Sequence, residues 1–414
     1  MSAHARCPSG ADPPRPAFEV ADIFRHHLDD YRNLHALTPA QYDVARAIIA
    51  CRTVALGGHI DRCVHCGFEK PAYNSCRNRH CPKCQALTQA RWVEARLERI
   101  LPVHYFHLVF TLPSELHSLA RNNRSKIFAL LFKSAADTVL SLAADPQWLG
   151  QAAQLGITAV LHTWTRDLRF HPHLHCIVTG GGLARDQAQW VHAARDFLFP
   201  VHVMGALFRG KFMAGLQALL EKGELHDDLP DRAAQRRRRR LYTTSWVVYA
   251  KRPFGGPEQV YRYLGRYTHR VAIGNARLVT VDKDTVVFRT RGSETAALSP
   301  IEFIGRFLQH ILPHHFVKIR HFGLLSAGNV HTKLKQAAIL LLPAAYTINA
   351  SPDHHEDEDE LPAIRAVDPN PPWQVLLLAL TGQDVLLCPN CRQRTIVRHP
   401  LPPSRAPPWK LGAT

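Results

Sequence analysis

Apolar positions along the chain fall into segments of two periods. Over residues 18–100 helical stretches flank a cysteine cluster at 63–84. Two helices follow a Pro-rich stretch at 1–17, which is expected to be disordered. The second opens at Thr38-Pro39-Ala40-Gln41, a capping-box pair with Pro at the first helical position. A further helix runs from about Gln85 to Ile100, and Pro102 ends it.

Beyond that point strands alternate with helices. His104–Leu112 is rich in aromatic and β-branched residues and reads as a strand. Helical pattern fills about 114–144 and Val201–Leu220. Ile157–Trp164 and His173–Thr179 are two short strands around a polar, basic turn. Thr243–Ala250 is expected as another strand. Pro257 opens a helix, and Leu278–Thr290 reads as a hairpin around Asp282-Lys283-Asp284. Ser299-Pro300-Ile301-Glu302 is a second capping box. No internal repeat is visible. The interleaving predicts an α+β domain over about 100–300.

Composition narrows the class. The chain has 414 residues, with 51 Lys and Arg against 34 Asp and Glu, a formal net charge of +17. Such an excess points to a polyanionic partner. The membrane alternative is weak, because the best apolar run, Ala337–Leu342, stops at Pro343. No apolar h-region stands at the N-terminus, so a cytoplasmic location is expected.

Five of the ten cysteines crowd between Cys63 and Cys84. That density reads as a metal site in a reducing compartment and not as a disulfide framework. Cys63-Val-His-Cys66 and Cys81-Pro-Lys-Cys84 are two CxxC knuckles with fourteen residues between them. Together Cys63, Cys66, Cys81 and Cys84 suit one tetrahedral Zn²⁺. Cys76 and His80 lie in the loop and could replace a ligand or hold a second metal. The competing reading is free thiols or redox pairs. Cys388-Pro-Asn-Cys391 reads as half a site.

Phe170-His171-Pro172-His173-Leu174-His175 is the most informative stretch. On a strand, residues two apart face one side, so His173 and His175 project together as half of a divalent-cation site. His162, on the neighbouring strand, is the first choice of third ligand; His171 and His107 are alternatives. With 26 histidines in the chain, a chance HxH pair is the competing explanation.

Tyr263 and Tyr267 stand at i and i+4 of the helical pattern, on one face, and Arg262, Arg266 and Arg270 form their own row. Val260, Tyr263, Leu264 and Tyr267 could equally be a core stripe. Arg236–Arg240 is a five-arginine run suited to DNA phosphates, or to a solvated face. Gly205 to Lys211 matches the GxxxxGK spacing, but Phe212 follows where Ser or Thr is needed for Mg²⁺, so no ATP site is expected.

The cysteine cluster ending in HCPKC, then HPHLH, then YLGRYTHR, in that order, resembles the insertion sequence 91 family of transposases. These are two-tyrosine enzymes of the HUH (His-hydrophobic-His) superfamily. The resemblance spans about residues 20–340. It implies a helical zinc-binding, DNA-binding domain over 18–100 and an HUH-type antiparallel sheet with packed helices over 101–345. An acidic linker and tail over 346–414 fall outside it.

It also implies His173 and His175 as metal ligands, Mg²⁺ or Mn²⁺ as catalytic ion, structural Zn²⁺, and Tyr263 and Tyr267 as nucleophiles. Arg236, Arg237, Arg238, Arg239, Arg240, Arg266 and Arg270 are the residues expected to meet DNA. The implied activity is rolling-circle-like transfer of single-stranded DNA bearing the element's ends, through 5′-phosphotyrosine intermediates, in a bacterial, nucleoid-associated setting. The rivals are a replication initiator or relaxase, and a non-catalytic zinc DNA-binding protein.

Overall fold

The computed structural model describes residues 16–251, 265, 272–348, 372–382 and 384–404. In chain order the helices are α1 (Val20–Leu34), α2 (Pro39–Ala50), α3 (Ala86–Leu97), α4 (His117–Asn122), α5 (Arg124–Ala143), α6 (Pro146–Leu149), α7 (Val201–Glu221), α8 (Asp231–Thr243), α9 (Pro300–Leu308), α10 (Lys333–Ile348) and α11 (Trp373–Thr381). The strands are β1 (Gly58–Cys63), β2 (Glu69–Tyr73), β3 (Tyr105–Thr111), β4 (Ala153–Trp164), β5 (Phe170–Ala184), β6 (Trp190–His192), β7 (Val248–Lys251), β8 (Leu278–Val281), β9 (Val286–Arg289), β10 (Thr295–Leu298), β11 (Ile319–Gly323) and β12 (Ile396–Leu401).

A six-stranded antiparallel sheet, in the order β11-β4-β5-β3-β7 with β6 on the end of β5, organises the middle of the chain. Its register puts His162 opposite His173, Val160 opposite His175, Val109 opposite His175 and His107 opposite Ile177. Directly paired residues share a face. One face is therefore Phe106, Leu108 and Phe110 of β3 with Leu174, Cys176 and Val178 of β5. That face is buried under α5 and α7, where Phe110 meets Phe208 edge-on at 5.1 Å. The opposite face carries the histidines. Tyr105, Val160 and Ile177 of that face pack with Trp92 and Leu97 of α3 and with Leu334, Ala337 and Leu341 of α10.

Both capping boxes form: Thr38 Oγ1 accepts from Gln41 N at 3.3 Å, and Ser299 Oγ accepts from Glu302 N at 3.2 Å. The expected hairpin at 278–290 is β8–β9, extended by β10 into a three-stranded sheet. The stretch from Gly205 to Lys211 lies inside α7. Arg236–Arg240 lie on α8, which continues to Thr243, so the strand expected from Thr243 begins only at Val248. Strong helix formers in the arginine run outweigh the β-branched residues behind it.

The N-terminal helices pack against elements from late in the chain. Val20, Ile23 and Phe24 of α1 share one core with Phe303, Ile304 and Phe307 of α9 and with Val286 and Phe288 of β9. Phe24 meets Phe307 edge-on at 5.4 Å. The segment expected as a tail also returns to the fold. β12 pairs antiparallel with β1 over six residues, and β2 completes a three-stranded sheet. No helix among the described residues is long and apolar enough to cross a membrane.

Candidate metal centres and the histidine layer

His162 near the end of β4 and His173 and His175 on β5 bring three ring nitrogens within 4.8 Å of one another. The ring centroids of His173 and His175 are 5.0 Å apart, and those of His162 and His175 are 4.7 Å apart. His162 is buried and stacks on Trp164 at 4.6 Å with 19° between the planes. His173 Nδ1 donates to His171 O at 2.7 Å. His175 Nδ1 and His107 Nε2 share a 2.9 Å hydrogen bond. With Nδ1 used in both rings, Nε2 is the ligand atom of each. Burial pushes His173 down to about 4, and His107 likewise to about 4. Both imidazoles are therefore neutral at physiological pH, the form that ligates.

Of the three residues weighed as third ligand, the structure groups only His162 with the HxH pair. His107 lies beside His175 on the adjacent strand β3, bonded to it. His171 accepts from His173 through its carbonyl oxygen, and its ring lies 5.3 Å from that of His173. The donor set fits a divalent cation: three neutral imidazoles, converging from two adjacent strands, with outer groups fixing two of the rings.

Tyr263, Tyr267, Arg266 and Arg270 lie outside the described residues. Gly265, between the two tyrosines, is described and buried. A Cβ there would stand 2.4 Å from Val93 Cγ2, so the backbone at 265 is in close contact with α3. The same helix packs on the histidine face, and its Arg96, with Arg99 just beyond its end, lies near His321 of β11. Lys251, in β7, pairs with His107.

The cysteines form two groups, not the one expected. Cys51, Cys76, Cys81 and Cys84 bring their sulfurs within 4.8 Å of one another, as do Cys63, Cys66, Cys388 and Cys391. The proposed quartet of Cys63, Cys66, Cys81 and Cys84 is thus split. The first knuckle ends β1 and is carried by the β1–β12 ladder to the C-terminal one, while the second folds back on the end of α2. Hydrogen bonds from neighbouring thiols, Cys51 first, hold Cys84 below the ordinary thiol range. Cys51 stands alone in sequence twelve residues ahead of the first knuckle, with no CxxC to mark it.

His80 joins neither group. It lines a small enclosed cavity with Thr163, Trp164, His310 and Lys318. Arg79 beside it donates to Phe316 O at 2.5 Å and to Pro313 O at 3.0 Å, fastening the cysteine loop to the end of the central sheet. Cys81 and Cys84 share a core with Trp164, the residue on which His162 stacks. On α8, Arg237 pairs with Asp227 and Arg240 with Glu115 at 2.8 Å, while Arg236, Arg238 and Arg239 are exposed.

Two family models match the chain. One, described as "Transposase zinc-binding domain", covers residues 23–112, and the other, described as "Putative transposase", covers residues 156–333. The chain is 42% identical over 395 residues to "Putative transposase y4qJ" of Sinorhizobium fredii, covering 92% of this chain and 94% of that one. It is 27% identical over 366 residues to "Transposase for insertion sequence element IS801" of Pseudomonas savastanoi pv. phaseolicola, covering 81% and 83%. No solved structure matches. With the zinc-binding domain at residues 23–112 and this likeness over nearly the whole length, the chain belongs to the insertion sequence 91 family of transposases.

Proposed function

We propose that the chain cuts and rejoins single-stranded DNA through tyrosine–phosphate esters, with His162, His173 and His175 holding the divalent cation that the reaction needs. The observation that carries this reading is the convergence of three imidazoles on one sheet face. A bound Mg²⁺ or Mn²⁺ supplies electrophilic stabilisation of the scissile phosphate. Three nitrogens are an uncommon set for Mg²⁺, which prefers oxygen, and suit Mn²⁺ better.

The protein's own part begins with the tyrosines. The phenol oxygen of Tyr263 or Tyr267 attacks phosphorus and forms a 5′-phosphotyrosine. The phenol proton is lost, the 3′ oxygen leaves and is protonated, and the phosphodiester energy stays in the new ester. Reversal by another 3′-OH rejoins the strand without ATP. The two phenols, one helical turn apart in the sequence pattern, take one strand end each. Gly265, between the two tyrosines in sequence, is in close contact with α3. Exposed arginines of α8 hold phosphates and supply most of the affinity for DNA.

The test is cleavage of a single-stranded oligonucleotide carrying the element's end. The expected result is activity that EDTA abolishes, that Mn²⁺ restores at lower concentration than Mg²⁺, and that His173→Ala removes while DNA binding persists. Cleavage undiminished in EDTA would overturn the assignment.

A further inference from the structure

Cys388 and Cys391 lie outside both matched regions, which end at residues 112 and 333. Their sulfurs nevertheless sit 3.6 Å from those of Cys66 and Cys63 respectively. A tetrahedron of Zn–S bonds of about 2.3 Å has edges of about 3.8 Å. A disulfide would need about 2.05 Å. The separation is that of four ligands around one ion.

The backbone repeats the same device on both sides. Cys63 N donates to Phe68 O at 2.8 Å, and Cys388 N donates to Gln393 O at 2.8 Å. Gly67 N donates to Cys63 O at 3.0 Å, and Arg392 N donates to Cys388 O at 2.9 Å. In each knuckle the residue after the second cysteine is left-handed, with φ of 72° at Gly67 and 59° at Arg392. A non-glycine residue at positive φ is uncommon, and Arg392 takes the place that Gly67 has in the first knuckle. Donors converge on the sulfurs. Thr395 Oγ1 lies 3.1 Å from Cys63 Sγ, Cys66 N donates to Cys63 Sγ at 3.5 Å, and Asn390 Nδ2 donates to Cys66 Sγ at 3.5 Å. Such donors favour thiolates over thiols.

We infer that Cys63, Cys66, Cys388 and Cys391 hold a second zinc ion, separate from that of Cys51, Cys76, Cys81 and Cys84. Its ligands come from knuckles more than three hundred residues apart, so the ion acts as a clasp. It fastens α11 and β12 to the N-terminal region, where Arg398 bonds Asp61 Oδ1 at 2.9 Å and lies 4.6 Å over the Trp373 ring. The clasped helix α11 also contacts α3, the helix against which Gly265 is buried.

Zinc released from the full-length protein by a mercurial thiol titrant tests this directly. The wild-type chain should release about two thiolate-bound equivalents, and Cys388→Ser/Cys391→Ser about one. Cys391→His should keep both, since Cys₃His is an equally good tetrahedral set. In the double serine variant, amide hydrogen exchange should accelerate in 58–63 and 396–401 and stay unchanged in β4 and β5. One equivalent from the wild type, or two from the double serine variant, overturns the clasp.

Discussion

His107 and His175 stack at 5.1 Å with 16° between their rings and share a 2.9 Å hydrogen bond from adjacent strands. The bond fixes His175 with Nε2 toward His162 and His173. His107 stands outside the three-histidine group and contacts it through His175, so its removal acts through ring orientation. His107→Ala should weaken Mn²⁺ binding by about 10–100-fold, measured by calorimetry or by the Mn²⁺ spin-resonance signal. His107→Gln should recover part of the loss. An affinity unchanged in His107→Ala would remove the positioning role.

Gly265 is buried where a Cβ would lie 2.4 Å from Val93 Cγ2. Valine is stiff at χ1 and cannot swing away cheaply. Gly265→Ala should destabilise the chain by about 1–3 kcal/mol, read in denaturant melts, and should lower strand cleavage. Val93→Ala in the same chain should restore both. A Gly265→Ala chain with wild-type stability and cleavage would show that the contact with α3 is not close.

Much of the histidine layer was readable because strand periodicity is strict: two residues apart means one face, whatever the tertiary context. The neighbouring strand supplied His162 by the same rule. The capping boxes at Thr38 and Ser299 were readable because they are local. The zinc ligand sets were not. Sequence proximity favoured pairing Cys63 and Cys66 with Cys81 and Cys84, whereas strand pairing of β1 with β12 brings in Cys388 and Cys391. Thiol arithmetic offered one signal. Eight of the ten cysteines make two sets of four once Cys7 and Cys176 are set aside, and Cys176 is a buried residue of the core on the other face of the sheet.

His310 is fully enclosed, its Nε2 donating to Leu168 O at 3.0 Å and its Nδ1 accepting from Thr163 Oγ1 at 3.3 Å. Burial pushes it down to about 3. In the unfolded chain it returns to about 6.5. The unfolded state therefore binds more protons below that value, and stability falls as pH drops from about 6.5 toward 3. His310→Gln should flatten the pH dependence of unfolding free energy by up to about 1.4 kcal/mol per pH unit across about pH 4–6. Parallel slopes for the two proteins would refute a neutral buried His310.

Arg236, Arg238 and Arg239 are exposed on α8, while Arg237 is held by Asp227. If the exposed three meet phosphates, replacing them with alanine should reduce the salt slope of single-stranded DNA binding by about 2, from about 0.7 per contact. Arg237→Ala should lower thermal stability more than it changes the slope. A slope unaltered in the triple variant would place the DNA elsewhere.

The most direct measurement is the covalent adduct. With single-stranded DNA bearing the element's end and Mn²⁺ or Mg²⁺, the wild-type protein should give a species that survives denaturing electrophoresis. Tyr263→Phe/Tyr267→Phe removes only two phenol oxygens and should give none, while melting close to wild type, since each lost hydrogen bond is worth at most about 0.5–1.5 kcal/mol. Tyr261→Phe, off that helical face in the sequence pattern, should still form it. An adduct of undiminished yield in the double phenylalanine variant would contradict tyrosine-mediated strand transfer.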